Sequence, residues 1–216
     1  MSIDINEKKN KLRVRSIAKI LSHRLGKELE NLSILEYGCN TGWASRELAL
    51  MNNSCTGVDI LQRSIDKAIE YHRDVKNLQF KTIVETLPFP DQSFDFVFSS
   101  EVIEHVPQEK RNKYFSEFRR VMKDDGFGYI SYPNFWFPIE QHHFIPFHHW
   151  LQRIYKRKNL LYEDIPSKQT LRKELSRLFE YKDISSDFLK SDYVKTYHPR
   201  LKSSIASLLL KTPFSI

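Results

Sequence analysis

Apolar residues recur along this chain with two periods, and the alternation between them predicts most of its elements. Over residues 6–27, Leu12, Ile17, Ile20, Leu21 and Leu25 fall on one helical stripe. Lysine and arginine fill the other face and Gly26 marks a stop, so an amphipathic N-terminal helix is expected. Leu32, Ile34 and Leu35 then read as a short buried strand that ends in Glu36. Residues 43–50 continue as a helix and 55–59 as a β-rich strand. Residues 62–73 read as a second helix with Ile65, Ala68 and Ile69 facing inward. Strands are expected again at 78–84, at the aromatic and β-branched run 94–100, and at 126–132. A charged helix over 108–123 carries Tyr114, Phe115, Phe118, Val121 and Met122 on one side. Strand and helix alternating at this spacing imply a mostly parallel sheet with crossover helices. Further on, a helix is expected over 168–179, the last two strands over 181–186 and 193–197, and an apolar, lysine-flanked helix over 201–210.

The candidate chemistry begins where the first strand ends. Gly38 and Gly42 bracket a tight turn before the helix at Trp43, which lets backbone N–H groups approach a ligand at the positive end of a helix dipole. Asn40 occupies the place of the middle glycine of the dinucleotide fingerprint, and asparagine tolerates a left-handed backbone. Asp59 closes the second strand, placed to accept both hydroxyls of a ribose. No phosphate-cradling Gly-x-x-x-x-Gly-Lys-Ser/Thr loop occurs. A nucleoside without a polyphosphate is therefore favoured. S-adenosylmethionine fits, with its ammonium group offered to Glu36.

Four separated stretches carry a more specific resemblance: the turn from Glu36 to Gly42, Asp59, the run from Leu87-Pro88-Phe89 through Glu101-Val102-Ile103-Glu104-His105, and Phe118-Arg119-Arg120 to Gly126. Together they resemble the class I S-adenosylmethionine-dependent methyltransferases, in the small-molecule branch that includes quinone-biosynthesis enzymes. The resemblance covers roughly residues 32–134. It implies a Rossmann-like α/β fold with a seven-stranded, mostly parallel sheet flanked by helices. It implies S-adenosyl-L-methionine as cofactor, held by Glu36, Gly38, Cys39, Asn40, Gly42, Asp59, Ile60, Val84, Glu85, Thr86, Ser100 and Glu101. The acid the family commonly places against the adenine amine is absent. Ile83 stands there, leaving either Glu85 or the backbone of Val84 and Glu85 for that contact. The leading helix, within residues 1–30, is expected either as a lid over the cofactor or as a helix that only packs on the sheet.

Beyond residue 134 the composition changes. Residues 135–150 are dense in aromatics and histidine, including Glu140, His142, His143, His148 and His149. This segment reads as an insertion after the fifth strand that walls the acceptor site, within a substrate-side region spanning 135–216. His142 and His143, close to Glu140, and then His105 are the candidates for a base that takes a proton from an acceptor hydroxyl. A looser resemblance of this segment to methyltransferases of surface-glycan or lipid-linked sugar pathways implies a small-molecule or lipid-linked acceptor. The histidine pairs and Glu101-x-x-Glu104-His105 also have metal-ligand residue types. Some quinone-biosynthesis relatives use a divalent ion at such a motif and many related enzymes do not. No recognised zinc spacing is present, and no metal is expected.

Charge and composition change this picture in one respect. The net charge is +7 over 216 residues, yet residues 1–149 hold 20 basic and 20 acidic side chains and residues 150–216 hold 14 and 7. The excess therefore sits in the last third, and it reads either as a face for an anionic partner (a phosphorylated substrate, a lipid surface or RNA) or as a solvated basic surface with no partner. Two alternatives follow: a tRNA or rRNA methyltransferase using that basic third, and a non-catalytic cofactor-binding scaffold. Nucleic acid is the less expected partner, because no Asn/Asp-Pro-Pro-Tyr/Phe motif, catalytic cysteine motif or RNA-binding module occurs. The stretch with Ile205, Leu208, Leu209 and Leu210 between Lys202 and Lys211 adds a candidate peripheral membrane contact. With two cysteines, read as small apolar residues, no signal-peptide pattern and no long apolar run, a cytoplasmic protein is expected.

Overall fold

Seven strands pair in the order β3-β2-β1-β4-β5-β7-β6. The structure, a computed structural model, describes residues 3–84, 86–133, 166–197 and 205–211, and the side chains there except those of residues 3–6, 133, 197 and 205–209. In chain order the elements are α1 (Ile3–Leu25), β1 (Ser33–Tyr37), α2 (Trp43–Ala49), β2 (Ser54–Asp59), α3 (Gln62–Tyr71), β3 (Leu78–Thr82) and β4 (Phe94–Ser100). A single 3-10 turn, Ile103–His105, precedes α4 (Gln108–Val121) and β5 (Met122–Pro133). After these come α5 (Lys168–Leu175), β6 (Glu180–Asp183), α6 (Ser185–Leu189), α7 (Asp192–Tyr197) and β7 (Ile205–Lys211). The pairs among β1 to β5 are parallel, and β7 runs antiparallel to both neighbours.

The central strands are apolar on both faces because helices cover both. Ile34, Phe96, Phe98, Phe127 and Tyr129 pack under α1, α2, α6 and α7, while Leu35, Val97, Ile130 and Tyr132 pack under α4 and α5. On the first face Phe96 stacks on Phe127 at 4.6 Å and Phe98 on Tyr129 at 5.2 Å, locking β4 to β5 in register. The α1 stripe is buried through Val14, Ile17, Ala18 and Leu21.

Three expectations about elements are corrected. Ile69 is 51% exposed, because the stripe of α3 that meets the sheet is narrow and is filled by Ile65 and Ala68. Residues 193–197 lie in α7 rather than a strand: Tyr193 and Val194 are spent on α1, and the Tyr193 N–H donates to Ser16 Oγ at 3.3 Å. The apolar tail is not a helix but β7, inserted between β5 and β6. A short apolar run does not itself choose between helix and strand; here β5 pairs along the whole of β7 and β6 along its second half, residues 208–211. The amphipathic helix on which a membrane contact was expected is therefore not formed. Among the described residues, no helix is long and apolar enough to cross a membrane. The aromatic and histidine-rich insertion, 135–150, lies outside the described residues.

At the amino end of the sheet the chain is held by Asn53, which is buried. Its amide donates to Leu29 O, Leu48 O and Met51 O at 3.0, 3.0 and 3.2 Å, and its oxygen accepts from Leu32 N–H at 3.0 Å. One side chain thus fixes the entry to β1, the exit from α2 and the start of β2. Asn53→Ala strands these groups, and unfolding by urea is expected to show a loss of about 2–4 kcal/mol. A loss under about 0.5 kcal/mol would show that water replaces the amide without penalty.

Candidate active site

Parallel pairing places the carboxyl ends of β3, β2, β1 and β4 side by side, so Glu36, Asp59, Val84 and Ser100, distant in sequence, meet at one end of the sheet. Between β1 and α2 the backbone turns sharply: Gly38 and Gly42 have φ of 77° and 78°, and Asn40 has φ of 49°. A Cβ on Gly38 would run into Val102, and one on Gly42 into the Phe80 ring.

The hydrogen bonds of the turn differ from expectation. The Gly38 and Cys39 N–H groups both donate to Val58 O, at 2.8 and 3.0 Å, and Gly42 N–H donates to Cys39 O at 2.8 Å. Asn40 N–H donates to Asp59 Oδ2 at 2.9 Å. These donors close the turn against β2, so the loop offers a ligand close approach to bare backbone rather than a row of free N–H groups. That is a poor phosphate cradle, consistent with a nucleoside ligand.

The two acids occupy different surroundings. Glu36 is 4% exposed. Burial pushes its carboxyl up to about 7, against the stabilising hydroxyl of Ser45, which donates to Oε2, and the positive charge of Arg13. Asp59 is half-buried and accepts from Asn40 N–H through one oxygen and from Leu61 N–H, at 2.9 Å, through the other. Beside it stand two apolar side chains that face water, Ile60 at 63% and Val84 at 87% exposure, joined through the Ile83 N–H to Asp59 O bond of 3.0 Å. Adjacent bare apolar side chains at strand tips are what a flat heterocycle needs as a slot. Thr86 is exposed on the same connection, and Glu85 lies outside the described residues.

Across the crevice, Ser100 Oγ meets Ser131 Oγ at 2.8 Å and accepts from Arg13 Nη1 at 3.2 Å. Arg13 also lies 3.7 Å from Glu101. Glu101 adopts φ of 59°, a strained value for a glutamate that is common where a site over-determines the backbone. The Glu-x-x-Glu-His residues are not gathered: Glu101 faces Arg13, Glu104 is fully buried and His105 is exposed. Among the described residues no three metal-ligating side chains lie together. His142 and His143 fall outside those residues.

Sequence reasoning missed Arg13 and Ser45. Neither carries a local signal, since Arg13 is one of many cations on α1 and Ser45 one of several small residues in α2. It also missed why two of the matching stretches exist. Arg120 donates to Leu87 O, Phe89 O and Asp91 at 2.9, 2.7 and 2.9 Å, while Glu117 accepts from Leu87 N–H at 2.9 Å, so α4 holds the 87–91 loop in place.

Residues 35–130 match the methyltransferase domain family. A solved S-adenosylmethionine-dependent methyltransferase from Mesorhizobium loti superposes with a TM-score of 0.65 at 17% identity, over 88% of this chain and 95% of that one. Residues 35–130 thus carry a methyltransferase domain, and the fold around them is that of solved S-adenosylmethionine-dependent methyltransferases. The chain's curated relatives include a ubiquinone biosynthesis O-methyltransferase of Rickettsia bellii, 32% identical over 117 residues, which are 53% of this chain and 47% of that protein. A bifunctional biotin biosynthesis protein of Cellvibrio japonicus is also 32% identical, over 54% of this chain and 23% of its own length. The chain thus spans half or less of the length of these curated relatives. The family's cofactor is S-adenosylmethionine, and the buried acid, the half-buried acid with its bare apolar neighbours and the glycine turn suit its three parts.

The elevated Glu36 fixes a pH dependence. A carboxyl raised from 4.5 to about 7 stabilises the fold fully below pH 4.5 and loses that contribution as pH rises through 7. Without cofactor, the unfolding free energy of Glu36→Gln relative to the wild type is expected to rise between pH 5 and pH 8, by up to roughly 3 kcal/mol. A difference that stays flat across that range would mean Glu36 is not held in the neutral form.

Proposed function

We propose that this chain transfers the methyl group of S-adenosylmethionine to an oxygen of a small or lipid-linked acceptor, a sugar hydroxyl being the favoured case. The observation that carries this is the pairing of a buried, elevated carboxyl, Glu36, with Asp59 and its exposed apolar neighbours at one end of the sheet. Glu36 receives the ammonium of the cofactor, and Asp59 receives its ribose diol. Ile60 and Val84 flank the adenine, with Glu85 or the backbone at 84–85 meeting its edge. Arg13, beside Ser100 and Glu101, is a cation whose charge acts on Glu36 and suits the cofactor's carboxylate, so α1 serves as a lid there while its apolar stripe stays in the core.

The cofactor supplies a methyl group already activated by a sulfonium. The protein's part is alignment of the acceptor and removal of its proton. His142 or His143, oriented by Glu140, is the proposed base, and His105, exposed just beyond β4, is the second candidate. The names of the ubiquinone relatives support oxygen as the target atom, and the aromatic composition of residues 135–150 supports an acceptor with apolar surface.

Calorimetry with S-adenosylmethionine tests the cofactor half. Micromolar binding is expected, weakened about 30-fold or more by Asp59→Ala, the loss of charge-assisted bonds to two hydroxyls. Unchanged affinity in that variant would overturn the assignment. Labelled methyl transfer to sugar and phenol acceptors, with RNA as a parallel arm, tests the other half. Transfer to RNA alone, lost at raised salt, would replace the small-acceptor reading with the nucleic-acid one.

A further inference from the structure

A buried histidine is not used by this scheme. His72 caps the end of α3, is 3% exposed, and sits directly beneath the glycine turn. Its backbone is tied on both sides: its N–H donates to Ala68 O at 3.1 Å and its carbonyl accepts from Val75 N–H at 3.0 Å. The ring stands edge-on to Trp43, with centroids 4.8 Å apart, and lies 5.9 Å from Phe80. Two of its atoms reach the turn. Nε2 lies 2.9 Å from Thr41 O, and Cδ2 comes within 3.0 Å of where a Cβ on Gly42 would sit, next to the closer Phe80 ring.

A carbonyl can only accept, so the bond to Thr41 requires the proton on Nε2. Nδ1 is then a bare acceptor, and it is buried with no hydrogen-bond partner among the described residues. Protonating it would place a cation among aromatic rings. Burial, and more weakly the positive charge of Arg46 on α2, hold the ring below its ordinary pKa, while the Thr41 bond, Asp74 and Glu7 pull the other way. The neutral Nε2–H tautomer is thus fixed by its surroundings. Such a ring offers the turn one donor of defined direction and, with Phe80, an edge packed closely against Gly42.

We propose that His72 is a positioning residue for cofactor binding: through the Nε2–H bond to Thr41 O and the packing of its ring edge on Gly42, it sets the backbone shape of residues 39–42. This rests on the reading that the turn receives the cofactor. Its hydrogen bond goes to the turn, and its ring packs on Trp43 and Phe80, so its influence passes through the loop and these two rings. Without the donor, the Thr41 carbonyl is left facing an apolar floor, and the turn relaxes toward water.

Three variants separate positioning from packing: His72→Gln, whose amide nitrogen has a similar reach and can donate; His72→Leu, which fills volume without donating; and Asp59→Ala as control. S-adenosylmethionine affinity is measured by calorimetry at a temperature where each variant is folded. The expected result is a Kd within about threefold of wild type for the Gln variant and about tenfold weaker for the Leu variant, even where the two melt together. Equal affinities for Gln and Leu would reduce His72 to a packing residue while leaving the cofactor reading intact. An unaffected Asp59→Ala would instead remove the cofactor reading itself. Should the Leu variant not fold, the 15N shifts of His72 in the wild type at pH 7 decide. Pyrrole-type Nε2 with pyridine-type Nδ1 is expected, and the reverse tautomer or an imidazolium would refute the proposal.

Discussion

A carboxyl held out of water at the tip of a central strand is the constraint around which this end of the molecule is arranged. Glu36 is flanked by β2 and β4, opposite Gly57 on one side and Phe98 on the other, so it has no sheet edge to turn toward. Beneath it, Ser45 of α2 satisfies one oxygen, and Gly57 leaves the room in which that serine sits. The charged form is disfavoured until a cation arrives. A site built this way discriminates by charge: a ligand that brings an ammonium supplies what the fold lacks, and a neutral or anionic one does not. Asp59, half-exposed and held by two backbone N–H groups, is the contrasting case, an acid kept in shape to accept hydroxyls.

That arrangement depends on strands being fixed along their length, not only at their tips. The stacked rings of β4 and β5 set one register, and Asp95 ties β4 to β1 and a second time to β5, accepting from Ser33 N–H at 2.8 Å and from Lys123 Nζ at 2.7 Å. A slip of one residue in a parallel strand would exchange its faces, and would carry Glu36 from beneath the turn to the opposite side. The loop over residues 87–91 is held in the same spirit by Arg120 and Glu117. Stretches that look like separate signatures in the sequence are therefore two halves of one contact.

Much of this was legible in the chain. The positions of β1, β2, β4 and α2 follow from apolar runs bounded by glycine and acids, and Asn40 takes the left-handed backbone for which asparagine suits it. What escaped was decided by distant partners. Tyr193 and Val194 have strand-like composition, yet α1 offers them a surface that a short helix meets better. Leu208 to Leu210 fit a helix as well as a strand until β5 and β6 present two edges to be filled. Arg13 and His72 are the same kind of omission: their neighbours in the chain say nothing of Ser100 or Thr41, which lie 87 and 31 residues away.

The comparisons divide along the same line. The family match, 35–130, runs from β1 into β5 and so covers the strand tips that meet at the glycine turn. Relatives whose names place them in ubiquinone and biotin pathways share about half of this chain at similar identity. A core common to proteins with such different substrates carries little information about any of them. Under the proposed function, the features that distinguish the acceptor fall to the residues outside this core, α1 and those that follow β5. The aromatic and histidine-rich stretch begins at that boundary, and Ser131, whose hydroxyl bonds to Ser100 in the crevice, stands at the end of the strand that leads into it.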